Sequence, residues 1–248
     1  MSGHSKWSTI KRKKGAADAK RGVLFTRLSK DITLAAREGG GDVDMNSSLR
    51  LAVKKAKESN MPSANIDRAI NKGIGNLPGF TYENYLYEGY GPNGVAIMME
   101  VMTDNKNRTF PDIKHIMSKN GGNLGESGCV SWVFEKKGVI LVDKLSIDED
   151  DFLEIIIDLG IEDVELENPD YYSILIPPED FDNLSKKLEA KKLKIDGSVS
   201  LVPSNTVKVS GSSASQLLKL LDILENHEDV QKVYSNFDIE DKELNDID

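Results

Sequence analysis

The sequence predicts a multi-domain α and α+β protein: a small N-terminal helical domain, then two ferredoxin-like α/β domains, the third domain inserted into the second. Three features point there. The chain has 248 residues, more than one domain of typical size, roughly 100 to 200 residues. Helical periodicity prevails up to residue 75, and alternating apolar runs begin only after it. The charge changes sign at the same place. Up to residue 75 there are 16 Lys and Arg against 7 Asp and Glu, and beyond it 16 against 34, so a basic end of net +9 joins an acidic body of net -18.

Residues 1–22 show no sustained apolar period and carry Gly3, Gly15 and Gly22, which predicts a loosely packed arm. Leu24, Leu28, Ile32 and Ala35, with Phe25 and Ala36 beside them, then recur at helical spacing until Gly39-Gly40-Gly41 stops the pattern. A second helix is predicted over 47–59, with Leu49, Ala52, Val53 and Ala56 on one face and Arg50, Lys54 and Lys57 on the other. Pro62-Ser63 opens a third, with Ile66, Ala69 and Ile70 inward and Gly73 placed to end it. These helices and the arm make up the first domain, residues 1–75.

Beyond a linker at 75–79 the pattern is that of strands. Residues 95–102 are apolar on both faces, as a central strand would be. Asn107 is positioned to cap a helix carrying Phe110, Ile113, Ile116 and Met117, ended by Gly121-Gly122. Residues 129–134 and 138–142 read as a hairpin around Glu135-Lys136-Lys137. A helix over 215–225, with Leu217, Leu218, Leu221 and Leu224, and a strand over 230–237 would complete the split β-α-β-β-α-β pattern. The second domain is therefore placed at 80–144 and 205–240. Between these segments, a helix with Phe152, Ile155, Ile156 and Leu159, strands over 164–167 and 172–176, a helix over 181–188 and a strand over 198–202 make an acidic third domain, 145–204. Two sequential α/β domains divided near Pro203 satisfy the same periodicity.

Apolar residues make up 39% and charged residues 29% of the chain, globular values that argue against disorder. No apolar run approaches the roughly 18 to 20 residues that span a bilayer, so no membrane partner is expected. The polar start and the single cysteine, Cys129, fit a cytoplasmic protein. His4, His115 and His227 lack ligand spacing, and the run Asp148-Glu149-Asp150-Asp151 suits a helix start better than a metal pair. The loops at 89–94 and 121–128 do not match G-x-x-x-x-G-K-[ST] and read as turns. Asp104, Asn105, Asn107 and Arg108 cluster where polar side chains commonly cap a helix, with partner binding as the other reading. No catalytic residue, metal, cofactor or small-molecule substrate is expected.

The basic end is the candidate for function. Lys6, Lys11, Arg12, Lys13, Lys14, Lys20, Arg21 and Arg27 can each meet a phosphate and release counterions. Trp7 can stack on an exposed base or anchor the arm to the helices. Arg50, Lys54 and Lys57 extend the basic surface or form a solvated helix face. The expected partner is nucleic acid, DNA or ribosomal RNA. A DNA-reading helix-turn-helix is not evident: the third helix offers Asn65, Arg68, Asn71 and Lys72 in no recognition pattern. A flexible basic arm with a tryptophan suits RNA at least as well. The competing classes are an enzyme such as a nuclease, and a protein-interaction scaffold built on the acidic domains.

Five motifs in order resemble a known family: Gly3-His4-Ser5-Lys6-Trp7, the stretch 18–25 (Asp-Ala-Lys-Arg-Gly-Val-Leu-Phe), the stretch 87–95 (Tyr-Glu-Gly-Tyr-Gly-Pro-Asn-Gly-Val), the stretch 103–109 (Thr-Asp-Asn-Lys-Asn-Arg-Thr) and Gly121-Gly122-Asn123-Leu124-Gly125. They are similar to those of the YebC/PmpR family, which includes the mitochondrial translational activator of cytochrome c oxidase. The resemblance spans nearly the whole chain. It implies a helical domain and two α/β domains in a cytoplasmic bacterial protein. It also implies a regulator of gene expression, described for some members as a DNA-binding transcriptional regulator and for others as a ribosome-associated factor that helps translation through consecutive prolines. Asn93 stands where the family's loop would have Gly, and Asn also tolerates positive φ.

Overall fold

The computed structural model describes residues 18–75, 82–161, 163–166, 168 and 170–240. Three helices come first: α1 (Asp18–Gly39), α2 (Ser47–Glu58) and α3 (Ser63–Gly73). Helix α1 starts inside the segment expected to be an arm. Its buried face (Leu28, Ile32, Ala35, Ala36) packs with Leu49, Ala52, Val53 and Ala56 of α2 and with Ile66 and Ala69 of α3. These are the apolar positions the periodicity picks out. The turn between α1 and α2 is held by Asn46, whose side chain accepts from the Leu49 N–H (3.0 Å) and donates to the Ala35 and Gly40 carbonyls (both 2.8 Å). One side chain thus caps both helix ends. Helix α3 ends at Gly73 as expected, and the glycine has a second task. A Cβ there would lie 2.5 Å from the Thr33 carbonyl oxygen and 2.7 Å from Ala36 Cβ, so its lack of a side chain lets α3 approach α1.

Beyond these helices the described residues include two four-stranded antiparallel sheets. The first holds β1 (Glu83–Tyr90), β2 (Ala96–Thr103), β3 (Asn123–Leu124) and β9 (Val230–Ser235) in the order β3-β1-β2-β9. Strand β2 is central and buried on both faces, as expected. Helices α4 (Lys106–Lys119) and α7 (Gly211–Glu225) pack on the sheet through Ile113, Met117, Leu217, Leu220, Leu221 and Leu224. The cap of α4 is Asn105, which accepts from the Arg108 N–H at 3.2 Å, and not Asn107. Strand β1, absent from the expected pattern, pairs with β2 across a turn in which Asn93 takes φ +58°. It fills the place that the second half of the expected hairpin would have taken. A short parallel pair, β8 (Val207–Lys208) and β10 (Phe237–Asp238), lies outside both sheets.

The second sheet corrects the expected hairpin. Residues 134–143 form one continuous strand, β4 (Phe134–Asp143). It pairs with β6 (Tyr171–Ile176) and β7 (Ile195–Pro203), in the order β5-β6-β4-β7 with β5 at Val164–Glu165. The segment 134–143, assigned above to the second domain, thus belongs to the sheet of the third. Glu135-Lys136-Lys137 mimics a turn because β6 pairing begins only at Gly138, so on that side the charged triplet has no neighbouring strand. With α5 (Glu149–Asp158) and α6 (Phe181–Ala190), the chain order is β4-α5-β5-β6-α6-β7, the split pattern in full. Its core includes Ile140, Val142, Ile156, Ile174, Leu184 and Leu188, with Phe152 stacked on Tyr172 at 4.2 Å. The chain enters this unit at Val133 and leaves it at Ser204. Those points touch, with the Ser204 N–H and hydroxyl both donating to the Val133 carbonyl (2.8 and 3.0 Å).

Candidate nucleic-acid interface

Basic side chains of the helical domain divide into an outward and an inward set. Arg50, Lys54 and Lys57 lie on the exposed face of α2, opposite its buried residues. The Arg50 guanidinium donates to the Asp44 carbonyl (2.8 Å, Nη2) and the Val43 carbonyl (3.2 Å, Nε), which fixes its direction while leaving it in solvent. Lys54 reaches only a distant contact with Glu58, 3.9 Å, and both side chains are exposed. Lys6, Trp7, Lys11, Arg12, Lys13 and Lys14 lie outside the described residues. Lys20 and Arg21 lie in the first turns of α1.

Arg27 belongs to the inward set. It is half-buried and turned toward the first sheet's unit, with Nη2 3.5 Å from the His227 carbonyl. Burial lowers its pKa from the usual value, against the pull of Glu225 and Asp31. It joins two parts of the molecule, and that is a different task from the phosphate contact expected of it. Lys30, one turn on, is the centre of this joint. Its ammonium is 2.5 Å from Asp229 Oδ1 and donates to the Met102 and Glu228 carbonyls (both 3.0 Å); the two side chains are 6% and 2% exposed. The other carboxylate oxygen, Asp229 Oδ2, accepts from Arg108 Nη2 (2.9 Å) and the Thr109 hydroxyl (2.7 Å). Burial alone would raise the Asp229 pKa, but the hydrogen bonds from Lys30, Thr109 and Arg108 bring it down to about 2.

A second clamp lies close by. Lys72 of α3 donates to the Tyr82 hydroxyl at 2.9 Å, and Lys72 and Lys30 sit 4.6 and 5.6 Å from the centre of that ring. The segment 103–109 thus has its explanation: Thr103 takes part in the network, Asn105 caps α4, and Arg108 and Thr109 hold the carboxylate that receives Lys30. Sequence reading had singled out Asp104, Asn105, Asn107 and Arg108 and missed Lys30 and Asp229. Asp229 stands in the polar stretch Glu225-Asn226-His227-Glu228-Asp229, so no local pattern marked it out.

Of Asn65, Arg68, Asn71 and Lys72 on helix α3, two are held within the chain. Asn71 donates to the Asp67 carbonyl at 2.9 Å and Lys72 is engaged at Tyr82. Arg68 is exposed.

Comparison with known proteins fits this architecture. The family model described as TACO1/YebC protein N-terminal domain matches residues 5–76, and that described as TACO1/YebC second and third domain matches residues 82–237. The chain belongs to the TACO1/YebC family. A relative from Syntrophus aciditrophicus is 54% identical over 98% of this chain and 97% of its own length, and one from Halothermothrix orenii is 52% identical over 100% and 99%. Both are called "Probable transcriptional regulatory protein". A solved structure of a conserved hypothetical protein from Aquifex aeolicus superposes with a TM-score of 0.78 at 42% identity, covering 90% of this chain and 93% of that one. The three-part order of this TACO1/YebC chain, helical region first and sheet-containing parts after it, is therefore the family's. Among the described residues no helix is long and apolar enough to cross a membrane.

Proposed function

We propose that this protein is a nucleic-acid-binding regulator of gene expression that docks through its helical domain and acts by binding, without catalysis. The observation that carries the proposal is the division of cations in that domain. Arg27, Lys30 and Lys72 fasten it to the first sheet's unit, while Arg50, Lys54 and Lys57 stay outward on one helix face. A positive surface on a fixed mount suits a polyanion. The acidic body, net -18 beyond residue 75, turns phosphate away from the other end. The relatives' name supports transcription regulation, and we place that action on DNA in the cytoplasm. We also take the second sheet's unit to be an insertion in the first, supported by the contact between Val133 and Ser204.

Filter binding at rising salt tests the proposal. Changing Arg50, Lys54 and Lys57 together to Ala should weaken binding and flatten the slope of log K against log salt by about 2 to 3, at roughly 0.7 to 0.9 per lost phosphate contact. Wild-type protein without affinity for DNA, RNA or ribosomes would sink it. Metal-dependent cleavage of labelled nucleic acid by the pure protein would move it to the enzymes.

One observation favours ribosomal RNA in a translation role over promoter DNA. Helix α3, the element that would enter a major groove, has Asn71 and Lys72 committed to contacts within the chain. That leaves Arg68 as the exposed cation of this helix, and recognition weighted to phosphate and shape is the RNA mode. Cosedimentation with ribosomes, against selective binding of a promoter over bulk DNA, separates the two.

A further inference from the structure

Helix α2 buries Leu49, Ala52, Val53 and Ala56, and the face it turns outward is not wholly polar. Leu51 stands there with 55% of its surface in solvent. A lone exposed leucine is ordinary in a globular protein. The surroundings of this one are not. At about 100° per residue, Arg50, Lys54 and Lys57 fall about 60° to 120° to one side of Leu51, and Lys55 falls about 40° to the other. All four cations are exposed. Lys55 feels the Asp31 carboxylate of α1 electrostatically and still stays in solvent. Ser47 and Ser48, also exposed, lie one turn before the leucine, and exposed Glu58 closes the face two turns after it.

The same end of the helix carries a second apolar group. Met45, next to the capping Asn46, is 84% exposed. Arg50 sets its place, because the guanidinium reaches back to the Val43 and Asp44 carbonyls (3.2 and 2.8 Å) and ties that turn to the start of α2. Leu51 therefore has cations on both sides, with Met45 at the Arg50 edge.

Two rows of negative charge with a less polar trough between them would complement this face, and that is the form of a nucleic-acid groove. Charge complementarity selects the occupant, since an apolar protein surface would give the cations no opposite charge to meet. Size and chemistry select the groove. The minor groove of B-form DNA, about 6 Å wide, is too narrow for a helix about 10 to 12 Å across. Its major groove admits a helix but is read by hydrogen bonds to base edges, and the centre of this face holds a leucine, with no amide or guanidinium. The minor groove of A-form RNA is wide and shallow, displays 2′-hydroxyls and is recognised by shape.

We propose that Leu51 is the apolar contact of α2 with the minor groove of double-helical RNA, with Arg50, Lys54 and Lys57 on the phosphates of one strand and Lys55 on those of the other. Met45 adds apolar contact at the Arg50 edge. The inference rests on the nucleic-acid function and names the form of the polymer. Its site lies in the basic domain, net +9 to residue 75, so the acidic body does not oppose it.

Anisotropy of the full-length chain with a labelled RNA hairpin duplex, the DNA duplex of the same sequence and an unpaired strand tests the inference. Leu51→Ala should weaken RNA-duplex binding by about 5- to 30-fold, as expected for a largely buried leucine. The slope of log K against log salt should hold, because an apolar contact releases no counterion, whereas Lys55→Ala should lower it by roughly 0.7 to 0.9. Leu51→Met, which stays apolar and similar in size, should bind within about threefold of the native chain. Met45→Ala should lose less than Leu51→Ala. Full RNA-duplex affinity in Leu51→Ala overturns the proposal, and so does an equal loss on the DNA duplex or the unpaired strand. Lost ribosome cosedimentation with RNA-duplex binding intact would assign Leu51 to a protein surface and overturn it as well. If the native chain binds no nucleic acid, the broader function has failed. If binding falls on changing Arg50, Lys54 and Lys57 but not Leu51, only this inference has.

Discussion

Lys30 and Lys54 sit on neighbouring helices of one small domain, and their surroundings have opposite character. Lys30 is buried, its ammonium shared among a carboxylate and two carbonyls. Lys54 is in water, 3.9 Å from the nearest oxygen of Glu58. A buried charge has lost its hydration and depends on partners of fixed geometry; an exposed one keeps its water and its freedom. The same residue type therefore serves as a joint in one place and remains available for a polyanion in the other.

The sharpest break of this contrast is Asp229→Ala. It strands Lys30 in the interior and removes the acceptor of Arg108 and Thr109. A loss of about 3–5 kcal/mol is expected, read from chemical denaturation. Because the joint links two parts of the chain, hydrogen exchange should show faster opening of α1 and of the turn before β9. Unchanged stability would mean that the network is incidental.

Acid should dissolve the same joint, and the sign follows from the direction of each shift. Asp229 has a folded pKa of about 2, below the ordinary carboxylate value. Its contribution is complete above the unfolded pKa, about 3.9, and disappears as pH falls through the folded value, about 2 kcal/mol in all. His227, whose Nδ1 accepts from the Asp229 N–H at 3.1 Å, is also lowered, mainly by burial. A base lowered in the fold favours unfolding once pH drops below its unfolded pKa, so the loss starts near pH 6.5 and steepens below 4. Melting temperature against pH should show both stages in the native chain, and Asp229→Asn should remove the second.

Glu88→Gln tests a quieter version of a buried charge. One oxygen and an amide replace two acceptors, so the N–H of Gly128, or those of Val130 and Ser131, lose their partner. The cost should be about 1–3 kcal/mol, with hydrogen-exchange protection falling in this loop and holding in α4.

What the sequence revealed of this follows the physics. Periodicity reports which face of an element is buried, so the helical domain's core and the central strand β2 were legible in it. Strand β1 was hidden because its run Tyr-Leu-Tyr-Glu-Gly-Tyr places the buried carboxylate of Glu88 and a glycine where a strand pattern wants apolar residues. The single strand β4 read as two because its first half has a pairing neighbour on one side only. Arg50, Lys54 and Lys57 were recognisable by their spacing on α2. The inward role of Arg27 and Lys30 was not, because their partners stand about two hundred residues away, beyond the reach of any local pattern.

The smallest expected effect belongs to Lys54→Ala. The pair with Glu58 is solvent-exposed, long, and runs with the cation N-terminal to the anion, the weaker order on a helix. Stability should change by less than about 0.5 kcal/mol. Arg50→Ala should exceed it modestly, since the guanidinium also ties the Val43 and Asp44 carbonyls of the turn before α2. Nucleic-acid affinity should rank differently. If Lys54 meets a phosphate, its removal lowers the salt slope by about 0.7 to 0.9 while the melting curve stays in place, and that separation of binding from stability is what an outward cation should show and Lys30 should not. A Lys54→Ala protein whose binding and salt slope match the native chain would reduce the α2 face to a solvated surface and take Lys54 out of the interface.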